Sequence, residues 1–99
     1  MVKKKFHLNA QVSSNNLPVI KPVLEHLIGK TGTLKLTNDG FEIKAELEGE
    51  SSRDLNRMLL SEMRKVEKKT RLRAEWTADC VCDKFFDYAL KGTRKEMQT

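Results

Sequence analysis

The chain has 99 residues, of which 38% are hydrophobic and 33% are charged, and its formal net charge is +5. This length indicates one domain with a modest core, and the basic balance favours an acidic partner such as RNA or an acidic protein surface. No stretch approaches the roughly 18 apolar residues of a membrane span, and no apolar segment follows the basic start as in a secretory signal. We therefore expect a cytoplasmic protein without a membrane partner.

The first two elements are predicted to be a strand and a helix. Apolar and polar residues alternate over 6–12, which is typical of a half-buried strand. A cluster of Ser and Asn at 13–16 then suits the start of a helix, whose apolar residues recur at helical spacing. Pro18 fits the first turn and Gly29 suits the C-terminal cap, whereas Pro22 predicts that the regular helix begins there or kinks.

Two strands joined by a hairpin are predicted next. Residues 33–37 and 41–48 both alternate apolar with polar side chains. The intervening Asn-Asp-Gly at 38–40 is a hairpin signal, because these residue types tolerate positive φ. The outer face of the later strand is fully charged, so we expect it to meet water or a polar partner. Ser51 or Ser52 is then suited to cap the following helix.

The most informative segment runs from Ser51 to Arg73 and contains neither Gly nor Pro. At 100° per residue, one side of this predicted helix is mainly apolar and suits a core. Its members are Leu55, Leu59, Met63, Val66 and Thr70. The opposite side presents five cations interrupted by one leucine, and we call it the basic stripe. Its members are Arg53, Arg57, Leu60, Arg64, Lys68 and Arg71.

The segregation of charge on this helix favours a binding surface for a protein partner or RNA. Guanidinium groups recognise phosphate and carboxylate better than ammonium groups do, and four of the five cations are arginines. Leu60 favours a protein partner, because it provides an apolar contact amid charge. A free-standing RNA-binding domain is the alternative, although domains that stack RNA bases display aromatic residues on a sheet and the predicted outer face has none.

The helical spacing continues loosely beyond Arg73, and two interpretations are open. Either a separate C-terminal helix follows a break near 76–79, or one helix runs from Ser52 to about Lys91. We favour the break, because a helix of about 40 residues is long for a small domain. The expected division is a β-α-β-β-α core over 1–75, a C-terminal helical extension over 76–91 and a flexible tail over 92–99.

The expected fold class is α+β, with the order β-α-β-β-α. We predict a three-stranded mixed sheet of strand order 1-3-2, with both helices on one face and the helical extension added to it. The third strand lies in the middle, antiparallel to the second strand and parallel to the first. The first and second strands would then be edges, which are often covered by a second subunit.

Residues that carry catalytic or metal chemistry are sparse. Cys80 and Cys82 are one residue apart, so a disulfide between them would be strained, and we expect reduced thiols on a helix. A small enzyme or metal protein built on this pair lacks further ligands, because His7 and His26 are distant in sequence. Gly29–Gly32 resembles the end of a phosphate loop, but the first glycine of that motif is absent. We expect no enzyme, no cofactor and no metal.

The order of elements, the length and the second helix resemble the small dimerising subunit of the KEOPS complex, a family related to the human cancer/testis antigens. In that family the helix typically reads Ser-x-Leu-Arg, then three residues, then Asn-Ser-x-Leu-Arg-x-Ile. The chain matches this pattern at Leu55, Ser61, Met63, Arg64 and Val66. It departs at Asn56, where Arg is usual, and at Leu60, where Asn is usual. The resemblance spans residues 5–70.

The resemblance implies a noncatalytic subunit that dimerises and binds the ATPase-like tRNA-modifying enzyme of the complex through its helices. Such a subunit also helps tRNA to bind during the synthesis of threonylcarbamoyladenosine. By resemblance, Arg64 serves this contact. The two departures and the longer tail indicate a divergent paralogue, which forms a homodimer or pairs with a related small subunit in a heterodimer.

Overall fold

A computed structural model describes residues 3–29 and 32–95, which form one six-stranded antiparallel sheet and two helices. The elements in chain order are β1 (Lys4–Ser13), α1 (Leu17–Ile28), β2 (Thr33–Leu36), β3 (Gly40–Gly49), α2 (Ser52–Val66), β4 (Arg71–Ala78), β5 (Val81–Phe86) and β6 (Ala89–Lys95). The strand order across the sheet is β2-β3-β1-β4-β5-β6. The first six elements thus have the β-α-β-β-α-β connectivity of the split βαβ arrangement.

The predicted order of elements over the first two thirds of the chain is confirmed. Along β1 the even-numbered residues from Phe6 to Val12 are buried and the odd-numbered ones are exposed, as the alternation predicts. The hairpin between β2 and β3 is also present, and Gly40 lies so close to β1 that a Cβ there would overlap the carbonyl oxygen of Val12. Only glycine therefore fits where β3 starts to pair with β1.

Two predicted helix boundaries, the C-terminal cap of α1 and the N-terminal cap of α2, are confirmed. Gly29, at φ 67°, caps α1 and its N–H donates to the carbonyl of Glu25. The helix continues through Pro22, so the regular helix does not begin there. The Ser51 hydroxyl accepts from the backbone N–H of Asp54, at 3.1 Å, and so caps the start of α2. The end of α2 differs from the prediction.

The long helix was predicted to run to Arg73, but α2 ends at Val66. After a connection of four residues the chain has reversed direction and entered β4. Leu55, Leu59 and Met63 are buried as predicted, whereas Val66 is 46% exposed. Thr70 is fully buried, but in the connection after the helix, where its hydroxyl donates to the carbonyl of Glu67.

The prediction of a three-stranded mixed sheet is wrong. β3 lies between β1 and β2 as predicted, but it is antiparallel to both. The reason is that α1 returns the chain to the end of the sheet where β1 began, so that β1 and β2 run the same way and β3 runs against them. Nor is β1 an edge strand, because β4 pairs with its other side from His7 to Ser13.

The predicted C-terminal helical extension over 76–91 is also wrong. Residues 71–95 form the antiparallel meander β4, β5 and β6. Its turns contain three non-glycine residues at positive φ, namely Asp79, Cys80 and Asp87. Two adjacent positive-φ residues suit a two-residue hairpin, which a continuous helix does not allow. Of the predicted flexible tail, residues 92–95 belong to β6, and 96–99 lie outside the described residues.

Both helices pack on the same face of the sheet, since α1 and α2 contact each other and each contacts β3. The core lies between this helix layer and the inward side chains of β1, β3 and β4, including the fully buried Trp76. The opposite face, which we call the outer face, carries the other alternate side chains of every strand. Within the described ranges, no helix is long and apolar enough to cross a membrane.

Candidate functional site

The basic stripe does not form one continuous helix face in the structure. Arg53 and Arg57 are exposed on α2, but Leu60 is fully buried and therefore makes no apolar contact with a partner. Lys68 lies in the connection after α2, and Arg71 is the first residue of β4. The predicted alignment of these residues is wrong, because it depended on a helix extending past Val66.

Two of the stripe arginines converge on Asp87, in the turn between β5 and β6. The Arg71 Nε donates to Asp87 Oδ2 at 2.9 Å, and a terminal nitrogen of Arg64 lies 3.5 Å from Oδ1. The backbone N–H of Leu72 donates to Oδ1 at 2.9 Å, and the Asp87 N–H donates to the carbonyl of Leu72 at 2.7 Å. Charged hydrogen bonds of this kind are among the stronger ones in proteins.

The same turn is attached to α2 through Asn56, one of the two departures from the family pattern. The Asn56 amide is buried, and its Nδ2 donates to the carbonyl of Asp87 at 2.7 Å. Its Oδ1 accepts from the indole N–H of Trp76 at 3.1 Å. We call the set of Asn56, Arg64, Arg71, Trp76 and Asp87 the Asp87 network. It joins α2, β4 and the β5–β6 turn. Asn56 therefore has a structural role, because its amide bonds both to β4 and to the β5–β6 turn.

Arg64, the residue singled out by resemblance, is held from three sides. Its Nε donates to the carbonyl of Thr70 at 3.0 Å, and its guanidinium carbon lies 5.1 Å from the centre of the Tyr88 ring. The Tyr88 hydroxyl is itself 3.1 Å from the Ser61 hydroxyl. These contacts explain two of the motif matches, Ser61 and Arg64, through packing within the chain.

The flank of α2 that faces β5 and β6 retains an exposed surface. At 100° per residue Arg53, Arg57 and Arg64 point within about 40° of one another, so the contact between Arg64 and Tyr88 places all three above the hairpin. Tyr88 and Leu90 are 46% and 42% exposed on the helix side of that hairpin. We call the surface of Arg53, Arg57, Tyr88 and Leu90 the α2–β6 ledge. Neither Arg53 nor Arg57 has a carboxylate within 4 Å among the described side chains.

The outer face carries two further cations, Arg73 and Lys84, which were not among the predicted site residues. Arg73 on β4 is directly opposite Phe86 on β5, and its guanidinium carbon is 5.2 Å from the centre of that ring. Lys84 follows the same outward alternation on β5. The sequence contains a signal for this strand, since Arg71, Arg73 and Glu75 alternate with three buried residues, but the same segment also fits a loose helical spacing.

The residues considered for catalysis or metal binding are dispersed. Cys80 is exposed in the β4–β5 turn and Cys82 is buried on the outer face of β5. The prediction that both thiols lie on a helix is therefore wrong. The Cys82 thiol is 3.8 Å from a carboxylate oxygen of Glu75. His7 is exposed on β1, 3.6 Å from Glu46, and His26 is exposed on α1. Within residues 3–29 and 32–95, no three His, Cys, Asp or Glu residues are arranged to hold a metal ion.

The α2–β6 ledge and the basic part of the outer face are therefore the two candidate binding surfaces of the described chain. They lie on opposite sides of the β5–β6 hairpin. Comparison of the chain with protein-family models, with curated proteins and with solved structures gives no match.

Proposed function

We propose that the protein is a noncatalytic, dimerising accessory subunit of a KEOPS-like complex that makes threonylcarbamoyladenosine in tRNA. The observation that carries this proposal is the β-α-β-β-α order of the first five elements, with both helices packed on one face. The positions of Leu55 and Met63 support it, since both motif residues are buried under α2 as a helix of that pattern requires. The added β4–β6 meander is consistent with a divergent paralogue.

The α2–β6 ledge is the surface we assign to the ATPase-like subunit. Two exposed arginines beside the partly exposed Tyr88 and Leu90 combine charge with apolar area, as the binding surfaces of protein partners do. Arginine and tyrosine are also enriched among residues that dominate binding energy. An acidic partner segment would complement Arg53 and Arg57 here.

The β2 edge is the surface we assign to dimerisation. A bulge in an edge strand resists pairing, and β6 has one, because the register shifts beside Lys91. By contrast, β2 is a regular edge whose Leu36 is 66% exposed. Val19, in the first turns of α1, is also exposed and lies at the same end of the sheet. A related small subunit would cover these two apolar side chains.

Affinity purification of the tagged full-length chain from native extract, followed by mass measurement of the intact complex, tests the proposal. We expect a related small subunit, the ATPase-like enzyme subunit and tRNA in the recovered complex. The double variant Arg53→Glu/Arg57→Glu should lose the enzyme subunit, while Arg73→Glu/Lys84→Glu, with the same change of charge on the outer face, should retain it. Recovery of the chain with neither a KEOPS subunit nor tRNA would reject the proposal.

A further inference from the structure

The outer face is open over the described strands, since both helices pack on the other side of the sheet. Its charges are unevenly distributed. The half formed by β2 and β3 carries two lysines and three glutamates: Lys35, Glu42, Lys44, Glu46 and Glu48. The half formed by β4, β5 and β6 carries four described cations and one carboxylate: Arg71, Arg73, Glu75, Lys84 and Lys91. The face is therefore basic on one half and nearly balanced on the other.

A groove crosses this basic half at an angle to the strands. One concavity of about 580 Å³ extends from the β2–β3 turn at Asn38 to Arg73, and a second of about 360 Å³ extends from Asn9 to Lys91. Both concavities are lined by Gln11, Arg73 and Phe86, which form one row across β1, β4 and β5, so the two concavities adjoin along this row. Together they span four neighbouring strands, and their lining includes amides, cations and two carboxylates, those of Asp39 and Glu75.

Phe86 lies where the two concavities adjoin, and this partly buried aromatic residue is in contact with two arginines. The guanidinium carbons of Arg71 and Arg73 lie 5.1 Å and 5.2 Å from its ring centre. Arg71 is fixed there by its hydrogen bond to Asp87, whereas Arg73 has no carboxylate within 4 Å among the described residues. The groove thus offers the exposed guanidinium plane of Arg73, supported from below by an aromatic ring and adjacent to the anchored Arg71.

We propose that this groove binds single-stranded RNA, with a base stacked on the Arg73 guanidinium, which Phe86 supports, and with phosphates contacted by Lys84 and Lys91. Unpaired bases stack on aromatic rings and arginine planes, and cationic grooves follow the backbone. An acidic protein segment would satisfy the cations but would leave the stacking surface unused. The proposal deepens the proposed function, on which it rests for the choice of RNA as the ligand.

The test measures binding of the full chain to a fluorescein-labelled, unstructured 12-nucleotide RNA by fluorescence anisotropy. We expect affinity to fall as salt rises, because bound cations displace counterions from the RNA. Arg73→Glu/Lys84→Glu should weaken binding at least tenfold, whereas Arg53→Glu/Arg57→Glu, with the same total charge, should weaken it less than threefold. Phe86→Leu should weaken binding severalfold without changing the salt slope, while Lys84→Gln should make the slope shallower by about 0.7.

Circular dichroism and thermal melting of each variant separate lost binding from lost folding. Equal weakening by the two double variants would overturn the groove as the site, as would equal displacement of the RNA by polyglutamate or tighter binding of duplex RNA of the same length. Rejection of the groove as the RNA site is distinguishable from failure of the proposed function. A chain that binds RNA through the groove but recovers no KEOPS subunit keeps this inference, and a chain that recovers the complex but binds no RNA rejects it.

Discussion

Two groups of arginines in this chain have the same chemistry and different surroundings. Arg64 and Arg71 are held by Asp87, so their charges stabilise the join between α2 and the C-terminal hairpins. Arg53, Arg57 and Arg73 are exposed and have no carboxylate within 4 Å among the described residues. A cation is therefore available to a partner only where no acidic group of its own fold already binds it.

We expect the greatest loss of stability on substitution of Asp87, which binds the arginines of the first group. Asp87→Ala removes the acceptor for two guanidiniums and for the backbone N–H of Leu72, so the free energy of unfolding should fall by about 2–4 kcal/mol. Urea unfolding measures this change. Asp39→Ala, in the exposed β2–β3 turn, is the matched control and should change the stability by less than about 0.5 kcal/mol. Equal effects of the two variants would show that the network does not stabilise the fold.

The next effect concerns the buried amide of the same network. Asn56→Leu leaves the Trp76 indole N–H and the Asp87 carbonyl without their partner and should destabilise the fold by about 1–3 kcal/mol. Adding Trp76→Phe removes one of the orphaned groups, so the double variant should be more stable than the sum of the single changes predicts. Strict additivity in this cycle, measured by thermal melting, would contradict the bond between the two side chains.

A smaller effect is expected at Arg64. Arg64→Met keeps the apolar stem but removes the bond to the Thr70 carbonyl and the pairing with Asp87, so it should destabilise by about 1–2 kcal/mol. If Arg64 instead served only a partner, as the resemblance implies, the isolated chain would melt at an unchanged temperature and only complex recovery would suffer. Parallel melting and co-purification of this variant therefore separate the two roles.

The smallest effect is expected for the arginines of the ledge. Arg53→Met/Arg57→Met should alter the unfolding free energy by less than about 0.5 kcal/mol, because exposed charges contribute little to stability. The same variant should nevertheless lose the protein partner proposed for the ledge. A large loss of stability would show that Arg53 and Arg57 stabilise the fold as Arg64 and Arg71 do, and it would contradict the division into two groups.

The amino-acid pattern predicted the secondary structure correctly in segments that fit only one periodicity. The alternation over 6–12, the hairpin at 38–40 and the core positions of α2 at Leu55, Leu59 and Met63 all follow from local spacing. It was insufficient after Val66, where the apolar residues satisfied a loose helical spacing as well as an alternating one. The alternation over 71–76 was stricter, and β1 offered it an unpaired edge.

The sequence predicted that the candidate site contains cationic residues, but it did not predict their arrangement. Local sequence patterns account for the basic balance, the strands and helices of the first two thirds of the chain, and the cationic residues of α2. Which cations remain exposed depends on the folded chain, because Asp87 is 16 residues from Arg71 in sequence and meets it through the β4–β5–β6 meander. Pairing across strands depends on register and on which edges are open, and neither property is encoded in the spacing within one segment.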